Sequence, residues 1–201
     1  SPATPSVSSS AMLARITANE IRTLLIDEAD RALNPKKPGV EDLIAILNSG
    51  YKKGGTRPTL VQSKNDWVVQ EMPTFSPVAI AGNTPLLPDD TRSRCIVVRL
   101  LPDRNGEISE SDWELLDEPA EFLAGKIEAV TNEYRDQVRI ARPDLPPGCV
   151  NRLKERWFPL KRIASVASDY WSKRVDELIL ADIESAREQS ESGDVQLSVN
   201  L

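Results

Sequence analysis

Residues Thr23 to Asp30 read Thr-Leu-Leu-Ile-Asp-Glu-Ala-Asp, and the fold turns on how this octet is read. Four strand-prone residues run directly into an Asp-Glu pair. A strand buried in a parallel sheet shows as a short continuous apolar run, not as an alternation. Carboxylates at its C-terminal end face the crevice where α/β sheets bind ligands. One carboxylate there can hold a magnesium ion while its neighbour polarises a water, which suits phosphoryl transfer. The plain alternative is a polar turn or a helix start after an apolar strand. Asp30 weighs toward chemistry, because D-E-x-D is a more particular ending than D-E.

Composition narrows the remaining chemistry. The chain has 201 residues, enough for one sizeable domain or a core with a small second domain. It is 40% hydrophobic and 28% charged, ordinary for a globular protein. No apolar run approaches the roughly 20 residues of a membrane-spanning helix. No basic stretch followed by an apolar core marks a signal peptide. Cys95 and Cys149 lack the paired spacing of a zinc site and fit a reducing cytoplasm. Histidine is absent, which excludes Ser-His-Asp and Cys-His catalysis and histidine metal sites. Carboxylates and arginines are left. A net charge of −6 argues against a generally basic nucleic-acid binder, while leaving room for a local basic patch.

The pattern along the chain predicts an α/β portion followed by an all-helical one. Residues 1–10 are a Ser/Pro/Thr-rich flexible lead-in. Ala11 to Ile21 has helical spacing, and Thr23 to Ile26 is the first strand. Val40 to Asn48 reads as a helix with Gly50 just past its end. Thr59 to Gln62 and Trp67 to Gln70 read as a hairpin turning at Ser63 to Asp66. Pro77 to Ala81 is a second buried strand, and Cys95 to Leu100 a third, stopped by Pro102. Helices are expected over residues 119–141, Cys149 to Phe158, Leu160 to Ser168 with Pro159 at the junction, and Tyr170 to Gln189. The division is an α/β core over 11–105, a helical subdomain over 106–190 and a flexible tail over 191–201.

Two further segments matter. Pro77-Val-Ala-Ile-Ala-Gly-Asn83 is an apolar strand ending in a polar amide, with Thr84 as an alternate polar position. These types also suit an ordinary turn. Asp89-Asp90-Thr-Arg-Ser-Arg-Cys95 carries Arg92 and Arg94. Guanidinium stays charged and forks onto phosphate oxygens. A surface pair with Asp89 or Asp90, worth under about 1 kcal/mol, is the plain alternative. Arg152 and Arg156 lie four apart on one helix face.

In order and spacing the chain resembles the C-terminal portion of an AAA+ P-loop ATPase, from Walker B to lid. The octet is similar to the Walker B strand, and the resemblance implies that Asp27 serves Mg²⁺ while Glu28 activates the attacking water. Asn83, or Thr84, would then be sensor 1. Arg94, or Arg92, matches the Ser-Arg-Cys arginine finger of clamp-loader subunits. Arg152 or Arg156 would supply sensor 2 from the lid. ATP and Mg²⁺ are the implied cofactors. A narrower resemblance is to a domain-of-unknown-function family in replication and primase-helicase proteins of phages and integrated elements. It covers roughly residues 11–187. It rests on the octet, Ile46-Leu-Asn-Ser-Gly-Tyr51, Thr74-Phe-Ser-Pro-Val-Ala-Ile-Ala-Gly82, and Arg156-Trp-Phe-Pro-Leu160 leading into Ile163-Ala.

No G-x-x-x-x-G-K-[ST] occurs. Gly54, Gly55 and Thr56 follow Lys52 and Lys53, in the wrong order and after the acidic strand. A P-loop's amides and lysine make most phosphate contacts, so the chain alone is expected to bind ATP weakly or not at all. The AAA+ order 5-1-4-3-2 would leave a gap where the P-loop strand belongs. The abrupt low-complexity start favours a fragment; a partner segment or chain bearing the P-loop, or a degenerate relative, would also account for the gap. The expected function is ATP-driven DNA remodelling or unwinding in mobile-element replication, by a homo-oligomer acting on DNA. Lys64 at the hairpin tip, with Lys52, Lys53 and Arg57 at its base, would contact DNA, unless the hairpin is merely solvated. The alternative is a non-catalytic interaction or assembly module.

Overall fold

The computed structural model describes residues 10–19, 21–63, 66–107 and 117–199. It is a mixed α/β structure with one parallel and one antiparallel two-stranded sheet, followed by three helices. The chain divides into two compact units, Ser1–Cys95 and Ile96–Leu201.

In the first unit, α1 spans Ser10–Asn19, β1 Leu24–Ile26, α2 Ala29–Ala32 and α3 Val40–Ser49. The hairpin strands β2 (Thr56–Ser63) and β3 (Asp66–Pro73) precede β4 (Val78–Ile80) and α4 (Asp89–Arg92). Strand β1 pairs with β4 in parallel, with Leu24 opposite Val78 and Ile26 opposite Ile80. Leu24 and Ile26 point into a core with Leu13, Ala29, Leu33, Leu43, Ile46 and Met72. The unbroken apolar run of the octet is therefore a buried strand, as its pattern requires.

The hairpin is longer than its sequence signal, because pairing continues from Ser63–Asp66 down to Thr56–Pro73. The antiparallel register continues through Arg57, Pro58 and Glu71, whose types sequence propensity does not favour in strands. Gly50 lies just past α3, as its sequence suggests, with φ −74° in the right-handed region. A Cβ there would lie 2.4 Å from the carbonyl oxygen of Thr74, so close backbone approach is what requires glycine.

The third strand expected over Cys95 to Leu100 does not form. Residues 96–102 lie outside any helix or strand, and Val97, Val98, Leu100 and Leu101 are exposed. A strand needs a hydrogen-bonding neighbour, and among the described residues no strand pairs with it.

In the second unit, α5 spans Asp117–Ile140, α6 Asn151–Ala167 and α7 Asp169–Val199. Helices α6 and α7 enclose Cys149, Trp157, Ile179 and Ile183, with Leu145, Leu153 and Val175 alongside. The break expected at Pro159 is absent, and α6 runs through it. Proline removes one helical hydrogen bond. Here α7 holds the helix on both sides of that gap. Arg156 and the Trp157 indole N–H donate to Asp182 before it, and Lys161 reaches Asp176 after it. Helix α7 also continues well past Gln189.

Candidate functional site

Because β1 and β4 run parallel, the residues after both strands emerge at one edge. Asp27 and Glu28 follow β1; Gly82, Asn83 and Thr84 follow β4. Main-chain bonds knit the exits together: Ala81 N–H donates to the Ile26 carbonyl at 2.8 Å, and Ala29 N–H to the Ala81 carbonyl at 2.9 Å.

Asp30 completes the link. Its carboxylate accepts the backbone N–H of Asn83 at 2.8 Å and that of Thr84 at 2.7 Å. These two donors, Asn83 first, hold its pKa below the ordinary 3.8. A Cβ on Gly82 would stand 2.9 Å from the carboxylate oxygen, so glycine leaves the space the carboxylate enters. Sequence reasoning gave Asp30 no role. The signal was present in its spacing from the pair and in the glycine before Asn83.

Glu28 occupies the left-handed region, at φ 49° and ψ 44°, as the chain reverses into α2. That conformation costs a residue with a Cβ roughly 1–2 kcal/mol. Strain of this kind is concentrated at functional sites. The turn is braced by Asp27, whose carboxylate accepts the Glu28 N–H at 2.7 Å. The Glu28 carboxylate is exposed and meets Arg31 at 3.2 Å.

The structure thus brings Asp27, Glu28, Asn83 and Thr84 to one edge. Arg94 belongs to a separate cluster. Its guanidinium donates to the Asp90 carbonyl, stands 3.6 Å from the Asp90 carboxylate and lies over the Tyr51 ring, 6.0 Å from its centroid. Asn48 donates to Asp90 at 2.8 Å from the other side. The surface partner weighed as an alternative is therefore Asp90 and not Asp89. Arg92 is exposed on α4.

Arg152 and Arg156 share a helix face but have different partners. Arg152 pairs with Glu155 at 3.7 Å, whereas Arg156 joins Trp157 on Asp182 inside the helical unit. Asp182 is thereby a structural hub that sequence spacing did not indicate.

The basic hairpin is partly committed to its own unit. Arg57 donates to the Asp42 carboxylate at 2.8 Å and to its carbonyl at 3.2 Å. Lys53 lies over Phe75, 5.8 Å from the ring centroid. Lys52 is exposed, and Lys64 lies outside the described residues. Leu60, Trp67 and Val69 on the outer hairpin face are exposed.

Among the described residues, no group of three or more Asp, Glu, Cys or His gathers to hold a metal ion. An all-protein cage is thus not what Asp27 offers. One exposed carboxylate at a strand end does fit magnesium, which keeps its waters and takes one or two carboxylates together with phosphate oxygens. A phosphate cradle is not part of this edge. Cys95 and Cys149 are both thiols. No described helix is long and apolar enough to cross a membrane.

Comparison with protein-family models, curated proteins and solved structures returned no match.

Proposed function

We propose that this chain is the Walker B, sensor and lid portion of an AAA+-like ATPase of mobile-element DNA replication, hydrolysing ATP with Mg²⁺ once joined to a P-loop segment. The observation that carries this reading is the shared edge: a strained Asp27-Glu28 turn beside Asn83, with Asp30 tying the two strand exits together. Asp27 would hold the magnesium ion, which neutralises phosphate charge when bound. Glu28 would accept a proton from the attacking water. Asn83 would orient that water. A parallel sheet of two strands is small for a fold of this kind. The far edge of β4 is the place a further strand would serve.

The test joins the chain to a P-loop segment and measures Mg-ATP binding and turnover. Glu28→Gln is expected to abolish turnover and preserve binding. An unchanged rate in that variant removes Glu28 from the catalytic role and the reading with it.

A second reading, a non-catalytic assembly module, is favoured by the absence of G-x-x-x-x-G-K-[ST]. It predicts no turnover in the joined protein, with wild type and Glu28→Gln alike.

A further inference from the structure

Helix α5 carries an apolar stripe: Leu123, Ile127, Val130 and Tyr134, spaced four, three and four residues apart. That is the a/d seam of a coiled coil. Among the described residues the stripe is left open, with Leu123 57%, Ile127 55%, Val130 55% and Tyr134 38% exposed. The helix is tied to α6 near its far end, where Arg162 donates to the Arg139 carbonyl. Exposed apolar surface of this regularity marks an interaction site.

We propose that two copies of this chain associate through α5, packed antiparallel about a two-fold axis. The charges flanking the stripe identify the occupant and its direction. With Ile127 and Tyr134 at a positions and Leu123 and Val130 at d, Lys126 and Glu133 both fall at g. They stand about 10.5 Å apart along one helix, too far to pair with each other. In an antiparallel pair, g faces g. Ile127 then packs on Val130 of the second copy, and Leu123 on its Tyr134. Lys126 meets Glu133 of the second copy, and the two-fold axis repeats every contact. A parallel pair would instead set g against e, placing Lys126 opposite Thr131 and Glu133 opposite Val138, with no charge complementarity. The Lys126 ammonium lies 4.3 Å from the Phe122 ring centroid.

The test is sedimentation of the 201-residue chain over a concentration series, with circular dichroism confirming helix content. Wild type is expected to dimerise reversibly. Lys126→Glu and Glu133→Lys each set two like-charge pairs in the homodimer, and each is expected to weaken self-association about ten-fold. Mixed with each other, these variants present only opposite charges across the seam, and they are expected to form a heterodimer as tight as wild type. The proposal is overturned if wild type stays monomeric, if either variant self-associates like wild type, or if the mixture fails to associate. A wild-type monomer would assign the stripe to a different partner.

Discussion

Asp30 accepts the main-chain N–H of Asn83 at 2.8 Å, across two strands and 53 positions of sequence. The bond makes the geometry of the acidic turn and of the amide segment interdependent. Whatever Asp27, Glu28 and Asn83 do, they do it from a common frame.

That frame is expected to weaken in acid. The Asp30 pKa is lowered on folding, so its contribution is present above the ordinary 3.8 and is lost as pH falls through the lower folded value. The stability gap between wild type and Asp30→Asn should therefore be widest above about pH 4 and close below it. Denaturant midpoints measured from pH 2 to pH 7 check this. A gap of constant size would show that the carboxylate charge is not what stabilises the link.

Glu28→Gly should raise stability by roughly 0.5–1 kcal/mol, because glycine adopts φ 49° without steric cost. Glu28→Ala keeps the Cβ and should bring no such gain. Thermal melts of the three proteins measure the difference. Equal stability of Glu28→Gly and Glu28→Ala would remove the strain argument.

Much of the first unit was legible where local and tertiary signals agree, although β4, read from its apolar run as a buried strand, is exposed at Val78 and Ala79. The run Thr23 to Ile26 is apolar without alternation, and β1 is buried. The Val40 helix and the hairpin follow their periodicities. The errors share a cause: the deciding interaction is remote in sequence. Cys95 to Leu100 has strand composition, but no strand among the described residues bonds to it. Pro159 has the look of a break, yet contacts to Asp176 and Asp182 on another helix keep α6 continuous. Asp30 was weighed toward chemistry but not read as a clamp, because its partners are backbone groups and only its spacing from the pair and the glycine before Asn83 hint at them. At the candidate site, residue types were readable and their engagement was not. The pair of Arg94 with Asp90 was one of the readings the local sequence offered, whereas nothing around Arg57 says that Asp42, fifteen residues away, holds it.

Lys161 is a buried amine, 4% exposed, that donates to the Ser172 carbonyl and hydroxyl and to Asp176 at 2.6 Å. Lys161→Met should cost about 2–3 kcal/mol, near the lower end for breaking a buried pair, since Asp176 keeps some solvent contact. Replacing both partners, as Lys161→Met with Asp176→Leu, should recover most of that loss, because no charge is then left without a counter-ion. Denaturant unfolding of the single and double variants measures the coupling. A double variant as unstable as Lys161→Met would mean that the bonds to Ser172 dominate.

Arg94 faces two separable expectations. Its place between Asp90 and Tyr51 gives it a structural role within its own unit. Arg94→Ala should therefore cost about 1 kcal/mol, and the same change in an Asp90→Ala background should cost less. On the proposed ATPase reading it also acts across a subunit interface. In the P-loop-joined protein, Arg94→Ala should then be inactive alone, as should Glu28→Gln. Mixing the two should restore part of the turnover, because some interfaces pair an intact Arg94 with an intact Glu28. Stability and mixing are independent measurements, so each role stands or falls alone. Full activity of Arg94→Ala by itself, or no recovery in assemblies shown to be mixed, would leave the contact with Asp90 as its whole function.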